Sequence, residues 1–315
     1  MKKLQIVFMG TPDFAVGILD SIIKNNYEVV GVITAADKPA GRGQQLKYSA
    51  VKEYALAHNL KLLQPTNLKD ESFLATLKSL NANLQIVVAF RMLPEVVWKM
   101  PKLGTFNLHA SLLPNYRGAA PINWAIINGD TRTGVTTFFI DDKIDTGAMI
   151  LRSEIEILPN ENAGSLHDRL MNLGCKIVVE TLQLIESENV ITTIQPENSD
   201  LKTAHKLNRD NCKIDWTKSG DQIHNHIRGL SPYPASWCFF KDKNEEWNVK
   251  IYECNFIEKK HQLTIGRIVS TKKELKIATK DGFVSILNLQ FPGKKRMNTP
   301  ELLNGMTFSE NANAV

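Results

Sequence analysis

Asn107 and His109 are the residues of this 315-residue chain whose types and spacing point most directly to chemistry. They stand two positions apart in Phe106-Asn107-Leu108-His109, and successive side chains of an extended strand face opposite sides. The carboxamide and the imidazole therefore share one face, while Phe106 and Leu108 take the other. Such a pair suits a reaction in which a carbonyl oxygen becomes an oxyanion. The amide donates without ionising, and the imidazole donates or moves a proton near neutral pH. A third group is expected to orient the imidazole. Asp145, in the turn Ile144-Asp145-Thr146-Gly147, is the candidate, and spacing alone does not exclude its neighbours Asp141 and Asp142. The same residues permit a plainer account, with Asn107 and His109 at a strand end and Asp145 in an ordinary turn. No G-x-S-x-G offers a rival nucleophile. No H-E-x-x-H or Cys/His cluster suggests a metal, so none is expected.

Positioning these groups requires a sheet. Residues 4–9 form an apolar run read as a buried strand, after which Thr11 is expected as N-cap and Pro12 as the first residue of a helix carrying Phe14, Ile18, Leu19, Ile22 and Ile23. Further strands are read at 28–34, 84–90, 105–110, 134–140 and 149–157, and helices at 48–58, 70–80, 121–128 and 163–187. Strands alternating with helices argue for an α/β, Rossmann-like parallel sheet with right-handed crossovers. Open sheets of that kind place ligands beyond the carboxyl ends of their strands, where Asn107 and His109 fall. Met9-Gly10-Thr11-Pro12 lacks the glycine spacing and the later acidic residue of a dinucleotide site, so hydride transfer is not supported. Asp37-Lys38-Pro39-Ala40-Gly41-Arg42-Gly43 reads as a flexible loop able to reach a phosphate, or equally as a solvated surface loop. Residues 191–204 are polar and connective. Five β-type runs after residue 235, joined by polar turns, suit a small OB-like β-barrel. The expected division is a catalytic domain over 1–190, a linker over 191–206 and a basic OB-like domain over 207–315.

Composition sets bounds on these readings. With 43% hydrophobic and 23% charged residues the chain is an ordinary globular one, not a disordered scaffold. It contains no run approaching the roughly 20 apolar residues of a membrane span. The lysines at the start precede a short apolar run without a cleavage site, which argues against a signal peptide. Four cysteines without close pairing suit a reducing cytoplasm. Charge is uneven: residues 1–200 hold 19 Lys+Arg against 21 Asp+Glu, a net of −2, and residues 201–315 hold 19 against 12, a net of +7. A basic second part fits a polyanionic partner, or simply a lysine-rich soluble domain.

Taken together the segments resemble the methionyl-tRNA formyltransferase family. The resemblance runs through MGTPDFAV (9–16), DKPAGRG (37–43), NLHASLLPNYRGAAPINWAIINGD (107–130), TGVTTFFID (133–141) and IDTGAMI (144–150). It continues through KLNRDNCKIDW (206–216), IRGLSPYPASW (227–237) and FPGKKRM (291–297). It implies transfer of a formyl group from 10-formyltetrahydrofolate, as co-substrate and without a metal, to the α-amine of methionyl initiator tRNA. It also implies a cytoplasmic enzyme with no membrane attachment, expected to act as a monomer.

Within that resemblance Asn107, His109 and Asp145 are the catalytic set. Ser111, Leu112, Leu113 and Pro114 lie along the folate. Ala89 and Arg91 belong to a turn lining the pterin pocket largely through backbone groups, so the bulky Arg91 should point outward. Gly41, Arg42 and Gly43, with Lys38, Lys206, Lys294, Lys295 and Arg296, are assigned to tRNA, and Phe14 to a wall for the methionyl side chain. The turn Asp142-Lys143-Ile144 departs from the acidic-Gly-Leu usual in the family. The same chemistry with another acceptor, or a sheet domain that merely accompanies a nucleic-acid-binding barrel, are the competing readings. Neither accounts at once for the basic second part and for the three spaced polar residues.

Overall fold

The computed structural model describes residues 3–40, 45–197 and 200–315. Its contacts divide the chain into two units: residues 1–118, 134–155 and 167–203 in the first, and 119–133, 156–166 and 204–315 in the second. In chain order the elements begin β1 (Gln5–Gly10), α1 (Asp13–Lys24), β2 (Glu28–Ile33), β3 (Lys38–Ala40), β4 (Gln45–Lys47), α2 (Ala50–Ala57), β5 (Leu62–Leu63), α3 (Glu71–Ser79) and β6 (Leu84–Val88). They continue with α4 (Glu95–Trp98), β7 (Thr105–His109), β8 (Arg117–Gly118), α5 (Pro121–Ile127), β9 (Arg132–Phe139), β10 (Met149–Glu156) and α6 (Ala163–Glu186).

The first unit is built on a seven-stranded sheet of order β10-β9-β7-β6-β1-β2-β5. β7, β6, β1, β2 and β5 run parallel, and β1 and β6 are largely apolar, as strands covered on both faces should be. Ile6, Val7, Phe8 and Met9 of β1 are wholly buried, and α1 packs Phe14, Ala15, Ile18, Leu19 and Ile22 inward. Beyond β7 the sheet reverses: β9 is antiparallel, with Asn107 opposite Phe138 and His109 opposite Thr136. A parallel return needs a crossover helix laid on the same sheet, and the helix of this connection, α5, belongs to the second unit. One expectation is corrected at α1. Pro12, extended at φ −85° and ψ 178°, is itself the N-cap and Thr11 lies outside the helix. The proline ring leaves no cap hydrogen bond, and Asp13 in the first turn complements the helix dipole instead.

The second unit contains the remaining elements: β11 (Thr203–Ala204, shared with the first unit), α7 (Gly220–Leu230), β12 (Ser236–Asp242), β13 (Glu245–Glu258), β14 (Ile268–Ser270), β15 (Leu275–Ala278), β16 (Gly282–Gln290), β17 (Met297–Asn298), α8 (Thr299–Leu303) and β18 (Asn313–Ala314). Its sheet runs β14-β15-β16-β13-β12-β18, with β17 beside β16. A bridge between Arg267 and Asn313 returns the last strand to the first, so the antiparallel barrel is nearly closed. Cys238, Phe240, Val249, Ile251, Ile277 and Ile286 fill it. α7 adds Ile223 and Ile227 to that core and begins in a capping box between Ser219 and Gln222. The excursion carrying α5 packs here, with the Asn123 amide donating to the Gly229 carbonyl at 2.8 Å, and Arg228 donates to the Glu161 carbonyl at 2.8 Å.

Candidate active site

Parallel register brings the carboxyl ends of three strands level. Gly10 of β1 pairs with Val88 of β6, and Val88 pairs with Leu108 of β7, so Ala89 follows β6 at the height of His109. Along β7, Asn107 and His109 share a face; Asn107 is partly exposed and His109 is 7% exposed. His109 Nε2 lies 2.7 Å from the Tyr116 carbonyl oxygen, which can only accept, so this nitrogen carries the proton. Nδ1 is then the nitrogen left for chemistry, and it lies 3.8 Å from Asp145 Oδ2. That is beyond a hydrogen bond but within ion-pair range once the ring is protonated.

Asp145 occupies the left-handed region at φ 55°, and its Oδ2 accepts the Gly118 amide at 2.9 Å. Two residues on, a Cβ on Gly147 would stand 1.7 Å from the Phe139 carbonyl oxygen, so only glycine closes this turn. The neighbouring carboxylates are occupied otherwise. Asp141 accepts from the Thr146 hydroxyl at 2.7 Å and from the Lys143 amide at 3.1 Å, while Asp142 is exposed. Of the three acids, Asp145 alone makes an ion-pair approach to His109 among the described residues.

The stretch after β7 is held from inside. Ser111 and Leu113 are fully buried. Ser111 Oγ donates to the Asn115 carbonyl at 2.7 Å, and the Thr136 hydroxyl donates to the Ser111 carbonyl at 2.7 Å while accepting the Leu113 amide at 3.1 Å. Leu113 packs with Phe138 and Met149, which leaves the partly exposed side chains of Leu112 and Pro114 and the local backbone to face a ligand. Ala89 is exposed and left-handed at φ 47°. Arg91 is exposed and donates to the carbonyls of Pro65 and Thr66. Phe14 is 6% exposed and meets the His167 ring edge-on at 5.2 Å.

Among the basic candidates, Lys206, Lys294, Lys295 and Arg296 are exposed on the second unit. The Arg296 guanidinium lies 4.4 Å from the centre of the Tyr252 ring and bonds to Asn288. The backbone of Lys38 pairs with Lys47 in the β3–β4 hairpin, so this part of the expected flexible loop is regular. Gly41, Arg42 and Gly43 lie outside the described residues. Among the described residues no group of His, Cys, Asp or Glu has the arrangement of a metal site, and no helix is long and apolar enough to cross a membrane.

Two features of the site were not legible in the sequence. The Tyr116 carbonyl that sets the imidazole tautomer is a backbone atom, and no residue type announces it. Gln195 falls in the stretch read as merely connective, yet it is 5% exposed and bonded to the Asp145 turn.

A family model described as formyl transferase matches residues 2–182, and a second, the formyl transferase C-terminal domain, matches residues 206–307. The chain is 76% identical over 312 residues to the methionyl-tRNA formyltransferase of Flavobacterium johnsoniae, covering 99% of each chain. It is 53% identical over 317 residues to that of Bacteroides thetaiotaomicron, covering 98% of each. Among solved structures it resembles an N-formyltransferase from Helicobacter canadensis in complex with folinic acid and dTDP-3-aminofucose, at TM-score 0.64 and 22% identity, over 90% of this chain and 98% of that one. HypX from Aquifex aeolicus in complex with tetrahydrofolic acid gives TM-score 0.64 at 16% identity, over 96% of this chain and 47% of that one. At these identities the two structural likenesses speak to fold alone.

Proposed function

This chain belongs to the formyl transferase family, and from that premise we propose that it moves the formyl group of 10-formyltetrahydrofolate onto the α-amine of methionyl initiator tRNA. The observation that carries the reading is local: at the carboxyl end of β7 the Asn107 carboxamide shares a strand face with the His109 imidazole, whose Nδ1 lies 3.8 Å from Asp145.

The neutral α-amine attacks the formyl carbon. A nitrogen–carbon bond forms and the carbonyl electron pair moves onto oxygen. Asn107, whose side chain has no hydrogen-bond partner among the described residues, donates to that oxyanion. Collapse breaks the bond from the formyl carbon to N10 of the folate, which takes up a proton, while the attacking amine gives one up. His109 serves this exchange through Nδ1, since Nε2 is committed to the Tyr116 carbonyl. Acting through His109 or a water, Asp145 steadies the imidazolium formed as Nδ1 takes the amine's proton, and that same proton passes on to N10.

The folate lies against Leu112, Pro114 and the backbone at Ala89–Arg91, with the Arg91 side chain tied back to Pro65 and Thr66. Ser111 and Leu113 support this wall from within. Phe14, a core residue of α1, contributes at most an edge to the methionyl pocket. The exposed Lys206, Lys294, Lys295 and Arg296 meet the tRNA backbone, and Lys38, Gly41, Arg42 and Gly43 are assigned to tRNA as well. The functional division runs at 1–190, 191–206 and 207–315, and the enzyme works as a cytoplasmic monomer. The test is acceptor competition. Purified protein given 10-formyltetrahydrofolate should formylate methionyl initiator tRNA in preference to glycinamide ribonucleotide or an amino-sugar nucleotide. Faster formylation of either small acceptor would overturn the reading.

A further inference from the structure

Gln195 sits in an otherwise outward-facing stretch. Ile191 and Ile194 beside it are each 85% exposed, whereas Gln195 is 5% exposed. Thr193 fixes the stretch by exchanging both backbone hydrogen bonds with Met149, each at 2.8 Å. From there the Gln195 carboxamide uses every donor and acceptor it has. Its Nε2 donates to the carbonyls of Asp145 at 2.9 Å and Gly147 at 2.8 Å, and its Oε1 accepts from Arg117 Nε at 3.0 Å and Nη2 at 2.7 Å.

The two carbonyls flank Thr146, so one side chain pins the turn before and after the residue that follows the left-handed Asp145. Arg117 immediately precedes Gly118, whose amide holds the Asp145 carboxylate at 2.9 Å. One amide group therefore joins the backbone of the acid to the segment that receives its side chain. The geometry points to Gln195 as a positioning residue for Asp145, in the formyl transfer proposed above and on which this inference rests. It touches no substrate. It sets where the carboxylate stands relative to His109 Nδ1.

The substitution Gln195→Glu is nearly isosteric and keeps an acceptor for Arg117, but it turns lone pairs toward two carbonyl oxygens and should push the turn away. The full-length Gln195→Glu and Gln195→Ala enzymes are assayed well below their melting temperatures. Both should lose about tenfold in kcat, with the KM for folate donor and for tRNA changed by less than about twofold, because misplacement of a reacting group weakens turnover more than binding. In single-turnover assays on an Asp145→Asn background, adding Gln195→Glu should cost no more than about twofold further, since the two residues act as a unit. A merely structural glutamine would lower the melting temperature and leave kcat alone. Wild-type kcat in either variant, or losses that multiply in the double variant, would overturn the inference. Failure of the wild-type enzyme to formylate methionyl-tRNA would instead overturn the proposed function.

Discussion

Asn107 and His109 carry different chemical burdens on one strand face. Asn107 offers an N–H at no ionisation cost. In the proposed reaction His109 would act through Nδ1, because its Nε2 bonds to the Tyr116 carbonyl at 2.7 Å. Truncating either to Ala should lower kcat on the order of 10²-fold, the scale for losing an oxyanion donor at Asn107 or a proton-transfer group at His109, with the melting temperature nearly unchanged for Asn107→Ala because its amide bonds to nothing else described. Near-normal turnover of both variants in a formylation assay would sink the assignment. Asp145 makes a sharper case. Asn tolerates the left-handed region better than most residues, and Asp145→Asn keeps an oxygen for the Gly118 amide at φ 55°. The variant should melt like the wild type and still lose on the order of 10²-fold in kcat, whereas Asp145→Ala should lose stability as well. Urea melts beside kinetics separate the two. The placement of these three candidates is legible because their types are chemically loud and a strand's period of two fixes the relation of Asn107 to His109. Gln195 was not readable: an amide in a polar stretch carries no period, and only the folded turn shows it two carbonyls to receive.

Elements decide whether such side chains arrive at all. Gly147 lies where the chain turns back from β9, and adding a methyl group there drives a Cβ to 1.7 Å from the Phe139 carbonyl. Gly147→Ala should cost at least ~2 kcal/mol, the range of an overpacking defect that backbone must absorb, together with most of the activity, read as a lowered urea midpoint and kcat. In the barrel unit, burial pushes His226 on α7 down to about 4 from an ordinary 6.5, a backbone hydrogen bond with Cys212 and the charge of Asp215 opposing and Lys218 assisting. Its Nε2 is buried with no hydrogen-bond partner among the described residues. Above pH 6.5 the ring is neutral folded or unfolded. As pH falls from 6.5 toward 4 the unfolded chain takes up a proton that the folded chain refuses, so stability drains by up to about 3 kcal/mol across that window. Urea midpoints from pH 7.5 to 4.5 should fall in the wild type and fall less steeply in His226→Leu; parallel slopes would exclude His226 as the cause. The strands of β1, β2 and β6 are legible as largely apolar runs and β7 as an alternating one, but neither pattern states direction, so the reversal at β9 is not legible in the sequence. β5 and β18, two residues each, are too short to show any period. α7 carries a Ser-x-x-Gln start signal, but its three spaced apolar residues sit among polar ones and give no clear helical stripe.

At the scale of the whole molecule the asymmetry of charge is the feature that a tRNA substrate would exploit. The net −2 of residues 1–200 offers a polyanion little attraction, and the net +7 of residues 201–315 supplies it. This contrast, unlike the reversal at β9, was legible at once, because net charge is a sum over composition and owes nothing to folding. What the sequence did not rank is which cations are free to act. Arg296 is spent on Tyr252 and Asn288, so its removal would disturb packing as well as charge. Lys294 and Lys295 are exposed in the turn after β16 and touch no carboxylate among the described residues. Each phosphate they neutralise would release roughly 0.7 to 0.9 of a counterion. The double variant Lys294→Ala/Lys295→Ala should therefore raise the KM for methionyl-tRNA at low salt and flatten the plot of log KM against log salt by about 1 to 2 units, with kcat at saturating tRNA unchanged. The folate KM, governed by the other unit, should not move. A salt slope equal to that of the wild type would mean that this turn is only solvated surface and that the phosphate contacts lie elsewhere among the basic residues after 200.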